Sequence, residues 1–293
     1  MHPGFHKTGT TFLQYKVFNQ ELVFHRLGNH VEAAEIFESP SDLSYSASSA
    51  LDQLSDLCSF SSDKPNILSS ETLCGNPFFG SREAKTIANR LHLTFGEVKI
   101  LFTVREQTAA ARSLYKQYVK MGGLSSSKKF FDAKSTSQFH RFNWETLNYG
   151  LLVDHYAKLF GHERILVLTQ EQLKKSPVEF YKSLGRFSGA NLDGINFESE
   201  PYAPSPSMMQ LQAFRLSNLF MELPINPDLK IGPEVFGSVI RKAARFLLPN
   251  NDRRPDKLDN IIADRIGDRF ATGNQILQKY SPADLSQLGY LFP

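Results

Sequence analysis

Two glycines, one lysine and three threonines fall within eight residues near the start of the chain, Gly4-Phe5-His6-Lys7-Thr8-Gly9-Thr10-Thr11. Glycine lets a backbone curl until successive N–H groups face inward. Directly behind, Phe12-Leu13-Gln14-Tyr15-Lys16-Val17-Phe18 carries apolar residues at helical spacing. A helix start adds unpaired N–H groups and a positive dipole end. The expected product is a nest for a phosphate-like dianion, with Lys7 as point charge and Thr10 and Thr11 as hydroxyl donors. A Walker loop has two glycines five apart, then Lys, then Ser or Thr. Gly4 and Gly9 have that separation, yet Thr10 stands in the lysine position and the lysine lies inside the loop at 7. The plain alternative is a Gly/Thr-rich turn that caps an ordinary helix.

Two further segments carry chemistry-bearing residues at predicted strand ends. Val98-Lys99-Ile100-Leu101-Phe102-Thr103-Val104 is apolar and β-branched, the clearest strand in the chain, and Arg105 follows it. Ser113 lies eight residues on, inside the helix predicted over 108–120. A guanidinium at a strand end and a hydroxyl on the next helix can grip one phosphate from two sides. Asn66-Ile67-Leu68-Ser69-Ser70-Glu71 reads as a short buried strand running into polar residues. Ligands of open parallel sheets bind beyond the C-terminal strand ends, where all three segments fall.

Lys7-Thr8-Gly9-Thr10-Thr11 resembles the phosphosulfate-binding loop of bacterial-type sulfotransferases, with His6 where that family usually has proline. Thr103-Val104-Arg105 through Arg112-Ser113-Leu114 resembles the family's second motif, whose Arg and Ser hold the 3′-phosphate of 3′-phosphoadenosine 5′-phosphosulfate (PAPS). More weakly, Tyr156 through Gly161, Ile165-Leu166-Val167-Leu168 and Glu171-Gln172-Leu173 are similar to bacterial members. The resemblance implies a P-loop-type three-layer α/β/α fold with a central parallel sheet. It also implies PAPS as co-substrate and transfer of a sulfuryl group to a hydroxyl or amine of a carbohydrate or small molecule. His6, Lys7, Thr8, Gly9, Thr10, Thr11, Arg105 and Ser113 would bind the co-substrate, with Lys7 also catalytic. Glu71 is the expected general base, His6 the second choice, and a salt-bridged or capping Glu71 the bland reading. A sulfuryl group carries less charge than a phosphoryl group, so one lysine can stabilise it and no metal is required. No strand end carries a Walker-B-type Asp. A P-loop kinase or NTPase with an aberrant loop, and a non-catalytic nucleotide-binding or scaffold protein, are the alternatives.

These residues need elements to position them. From 65 to 188 strand and helix patterns alternate, which implies a parallel sheet covered on both faces. Only Met1, His2 and Pro3 precede the loop, so the strand expected there is short or missing. Helices are predicted over 10–20, 81–93 and 108–120, with another ending near Gly161, and a capping box at Ser176-Pro177-Val178-Glu179 opens the next. Residues 124–142 are polar and basic (Lys128, Lys129, Lys134, Arg141) and read as a lid or disordered connection. Beyond 205 the pattern is helical: 208–219, 233–248 and 256–280. The expectation is one domain over 1–293, with 205–293 a helical extension packed on it. Arg253-Arg254 are a further candidate pair for the 3′-phosphate, while His140 and His155 read as surface histidines.

The 293 residues are 41% hydrophobic, include 24 phenylalanines, and can bury a substantial core. A net charge of +3 is too small by itself to imply nucleic-acid or membrane binding, which needs clustered charge. Two cysteines, Cys58 and Cys74, cannot build a disulfide scaffold or a zinc site. No stretch approaches the roughly 20 apolar residues of a membrane span, and no Asn-x-Ser/Thr occurs. A cytoplasmic protein is expected.

Overall fold

The computed structural model describes residues 1–192, 195, 205–228, 230–249 and 257–293. In chain order the helices and strands are α1 (Thr10–Phe12, continued by a π-helical turn Leu13–Val17), β1 (His25–Arg26), α2 (His30–Phe37) and α3 (Ala47–Leu57). Next come β2 (Asn66–Ile67), α4 (Ala84–Phe95), β3 (Ile100–Val104), α5 (Gln107–Lys120) and α6 (Ser127–Phe131). They are followed by α7 (Tyr149–Phe160), β4 (Ile165–Thr169), α8 (Gln170–Lys175) and α9 (Pro177–Ser188). The remainder is α10 (Met208–Ser217), α11 (Glu234–Leu247), α12 (Lys257–Ile266) and α13 (Ala271–Gln278). This is an α/β fold with parallel strands.

β1 pairs with β2, and β3 with β4 in a five-residue ladder from Ile100↔Ile165 to Val104↔Thr169. Met1 and His2 lie between the two pairs. On one side the Met1 amine donates to Lys99 O, and Leu101 N donates to Met1 O. On the other, His2 N donates to Leu68 O at 2.8 Å and Ser70 N donates to His2 O at 3.2 Å. The residues before the loop thus bond to both strand pairs, with an isolated parallel bridge His2↔Ser69. Pro3, with no N–H to give, follows His2 directly.

The chain divides into two compact units, residues 1–107, 144–199 and 268–293 in the first and residues 108–143 and 200–267 in the second. In the first, every residue of β3 is buried, as a parallel strand covered on both faces requires. Leu101 and Leu168 face a cluster with Leu13, Val17, Phe18, Phe24, Phe180 and Leu184. Phe102 faces the other way, against Phe5 and Tyr156, and Tyr149 closes on Phe5 with ring centroids 4.6 Å apart. Each such side chain contributes about 1.5–3 kcal/mol of burial. The predicted capping box at Ser176 does not form. Ser176 N closes α8 by donating to Gln172 O, its hydroxyl makes no cap, and Pro177 alone opens α9.

In the second unit the polar connection is not a bare loop. Ser126 caps α6, and Phe130, Phe131 and Phe142 are buried together with the Tyr115 ring. The apolar pair Phe130-Phe131 outweighs the polarity around it. Asn218 Nδ2 donates to Val119 O and Gly123 O, satisfying carbonyls at the C-terminal end of α5. The single helix expected over 256–280 is interrupted between α12 and α13, where Gly267 adopts φ 48°. Both cysteines are free thiols, Cys74 buried and Cys58 half-buried. Among the described residues no helix is long and apolar enough to cross a membrane.

Candidate functional site

The Gly4–Thr11 loop leaves the bridged Met1–His2 segment and enters α1. Two residues turn it through positive φ, Lys7 at 66° and Gly9 at 98°. For lysine that region costs about 1–2 kcal/mol, strain that such sites hold for a purpose. The amides of Lys7, Thr8 and Gly9 donate to no group among the described residues. Unpaired N–H groups in a turn of alternating hand make an anion nest.

What holds the loop is a directed chain of hydrogen bonds across the sheet. The Thr8 hydroxyl donates to Phe5 O at 2.6 Å. Its one proton is thereby used, so in the 3.0 Å Thr8–Thr103 contact Thr103 is the donor. Thr103 then accepts from His2 Nε2–H at 3.0 Å, and His2 Nδ1 accepts from the Ser69 hydroxyl at 2.8 Å. Ser69 Oγ accepts in turn from Gln14 Nε2, on the π-helical turn, at 3.2 Å. This ordering fixes His2 as the neutral Nε2–H tautomer. Burial first, and then the positive charge of the chain's amine, hold its pKa down at about 3, against a smaller upward pull from Glu71.

The two loop glycines answer different demands. A Cβ on Gly4 would lie 2.7 Å from Thr10 Oγ1 and 3.0 Å from the His2 ring, both pinned. A Cβ on Gly9 would meet nothing closer than 3.7 Å, so only its φ resists substitution. Gly4→Ala is therefore expected to cost about 1–3 kcal/mol by overpacking, and Gly9→Ala about 1 kcal/mol. Urea unfolding of the two variants checks the order.

The Lys7 side chain makes no ion pair or hydrogen bond within the described residues, and the same holds for the Arg105 guanidinium apart from its position beside buried Tyr149. Both are half-buried. They are close enough to repel: burial lowers the Lys7 pKa most, the Glu71 carboxylate opposes it next, and Arg105 adds a smaller lowering. Two partly desolvated cations near each other, in no ion pair among the described residues and with only Glu71 nearby to offset Lys7, can receive an anion.

Glu71 opens a short 3-10 helix at the end of the second strand, with Ser70 as its cap. Its Oε1 lies 3.5 Å from His6 Nδ1. Burial works to raise its pKa, but the hydrogen bond and charge of His6, with Lys7 and His30, outweigh it and leave the carboxyl below the usual range. His6 Nε2 is buried with no partner among the described residues.

Of the predicted site residues, the structure brings His6, Lys7, Thr8, Gly9, Thr10, Glu71 and Arg105 into the first unit, around the loop and neighbouring strand ends. The threonines differ from expectation. Thr10 Oγ1 is buried and donates to Phe5 O at 3.3 Å, as Thr8 does, so both hydroxyls shape the loop. The exposed Thr11 hydroxyl makes no hydrogen bond among the described residues. Ser113 is half-buried on α5, in the part belonging to the second unit. Arg253 and Arg254 lie outside the described residues. Glu38, at the end of α2, was not legible in sequence. Its carboxyl is pushed up by burial and then by Glu83, while a Thr72 hydrogen bond and His6 oppose. Only long-range folding brings it near the loop.

A family profile for the sulfotransferase domain matches residues 3–223. Among curated proteins none matches the chain. Among solved structures the chain is similar to a sulfotransferase from Alicyclobacillus acidocaldarius, at 17% identity and TM-score 0.49, over 74% of this chain and 90% of that one. It is also similar to the sulfotransferase domain from the curacin biosynthetic pathway, at 15% identity and TM-score 0.31, over 90% of this chain and 79% of that one. The profile spans the anion loop, the Glu71 strand end and Arg105 together, and the chain belongs to the sulfotransferase domain family.

Proposed function

We propose that this sulfotransferase takes its sulfuryl group from PAPS and delivers it to a hydroxyl or amine of a carbohydrate or small-molecule acceptor. The observation that carries the reading is the pair of half-buried cations, Lys7 and Arg105, in no ion pair among the described residues, beside three loop amides that donate to no group there. The amides and the Thr11 hydroxyl would hold the 5′-phosphate, and Arg105 the 3′-phosphate. Both positions suit fixed negative charge and neither needs a metal to neutralise it.

The acceptor oxygen or nitrogen attacks sulfur as the bond from sulfur to the bridging phosphate oxygen breaks. The electron pair stays on adenosine 3′,5′-bisphosphate, the acceptor proton passes to a base, and a sulfate ester or sulfamate forms. Lys7 stabilises the charge growing on the leaving oxygen. Glu71 is the proposed base, oriented by His6. Its depressed pKa keeps it ionised and ready at neutral pH, at the cost of basicity.

Metal-free incubation with PAPS and a panel of hydroxyl and amine acceptors, in the presence of a chelator, tests the reading through bisphosphate release. Glu71→Gln is expected to lower kcat by about 10²–10⁴. Because the active form is the carboxylate and its pKa is lowered, activity should be lost only as pH falls below the ordinary carboxylate range. An acid limb near neutrality would assign the base to another group.

A further inference from the structure

α11 is apolar on more of its circumference than it buries. Gly237 and Ala244 face inward, while Val235 (60%), Val239 (58%) and Phe246 (89%) form one line at helical spacing on the opposite side. Phe236 (53%), Ala243 and Leu247 (73%) widen that line. Exposed Lys242 sits on the same line, between Val239 and Phe246, and Arg245 lies to one side, over the Phe214 ring at 5.6 Å. An outward ridge of exposed apolar residues, with one lysine whose long stem can carry its charge to the edge, marks an interaction surface.

The charge of the unit narrows the partner. Residues 108–143 and 200–267 carry sixteen Lys and Arg against nine Asp and Glu, a net +7. The rest of the chain carries seventeen against twenty-one, a net −4. A second copy apposed through this face would bring two +7 units together. The side chains protrude rather than line a groove, which suits insertion into a soft phase better than recognition of a peptide. A helix with an apolar face, basic residues and about 21 Å of length lies stably in a lipid headgroup region.

We infer that α11 docks the protein on an anionic lipid bilayer, lying in the interface plane with Val235, Val239, Phe246 and Leu247 inserted and Lys242 and Arg245 at headgroup level. Apolar burial supplies the hold, and the unit's positive charge supplies the preference for anionic lipid. This docking is independent of the identity of the sulfuryl donor and acceptor.

Co-sedimentation of the full chain with vesicles of phosphatidylcholine alone, or of phosphatidylcholine with phosphatidylglycerol, tests it. Binding to the anionic vesicles should exceed binding to neutral ones by about tenfold or more and weaken as salt rises. The double variant Phe246→Ser/Leu247→Ser should weaken anionic binding by about tenfold or more. Both residues are exposed, so its thermal midpoint should match the parent's. Absence of binding, equal binding to both vesicle types, or a double variant that binds like the parent would overturn the inference. So would a concentration-dependent dimer, without vesicles, that the same variant abolishes, because the ridge would then be a contact between copies.

Discussion

Lys7→Met is expected to lower kcat for sulfuryl transfer by about 10²–10³-fold while leaving the fold intact. Methionine keeps the length and most of the volume of lysine and removes only the charge. It therefore pays the same positive-φ cost at position 7 (66°), so any loss reads the ammonium alone. A single preorganised donor aimed at developing charge is worth about 2.7–4 kcal/mol, which sets that range. Binding of adenosine 3′,5′-bisphosphate should weaken far less than kcat falls, because in the proposed site most of its charge would be held by the loop amides and Arg105. Burial and Arg105 hold the Lys7 pKa below the ordinary 10.5, so the ammonium is lost earlier than in free lysine as pH rises. The alkaline limb of kcat/KM should accordingly begin below that value and vanish in Lys7→Met. Equal losses in kcat and bisphosphate affinity would mean that Lys7 merely binds.

The largest effect on stability is expected at His2. Its ring is fully buried, bridges Ser69 and Thr103, and stays neutral because its pKa is held near 3. Unfolded, the same histidine titrates at about 6.5. Between those values the unfolded chain binds a proton that the folded chain refuses. Stability therefore falls as pH drops from 6.5 to 3, by about 1.4 kcal/mol per pH unit from this residue. His2→Ala should cost roughly 3–5 kcal/mol at pH 7, from the cavity and the lost hydrogen bonds to Ser69 and Thr103. It should also remove one proton from the acid slope. Urea unfolding of both proteins at pH 7, 5 and 4 measures both quantities. An unchanged slope in His2→Ala would place the acid sensitivity elsewhere.

His2 also shows where sequence reading stops. The anion loop was legible because its chemistry is local: glycine spacing, one lysine, and a helix behind. β3 and β4 were legible because each is a short run of mostly apolar, β-branched-rich residues that is almost wholly buried. The bonds of His2 reach 67 and 101 residues along the chain, and no periodicity carries that information. For the same reason the bridge His2↔Ser69 becomes visible only when its neighbours are in place. The turned-in hydroxyls of Thr8 and Thr10 follow from one acceptor, Phe5 O, whose position depends on the folded loop. At Ser176 the residue types for a capping box are present, but the preceding helix claims the backbone first. Phe130 and Phe131 outweigh a polar surrounding that, by composition alone, reads as a lid.

The central claim is that the loop and Arg105 form a metal-free site for adenosine 3′,5′-bisphosphate. Calorimetric titration of the full chain with that nucleotide in chelator, beside ATP with Mg²⁺, tests it most directly, and Arg105→Ala serves as the control. The account predicts micromolar, metal-independent binding that falls about tenfold to a hundredfold in Arg105→Ala, the worth of one charge-assisted hydrogen bond. Binding of ATP only with Mg²⁺, or bisphosphate binding unchanged in Arg105→Ala, would contradict it.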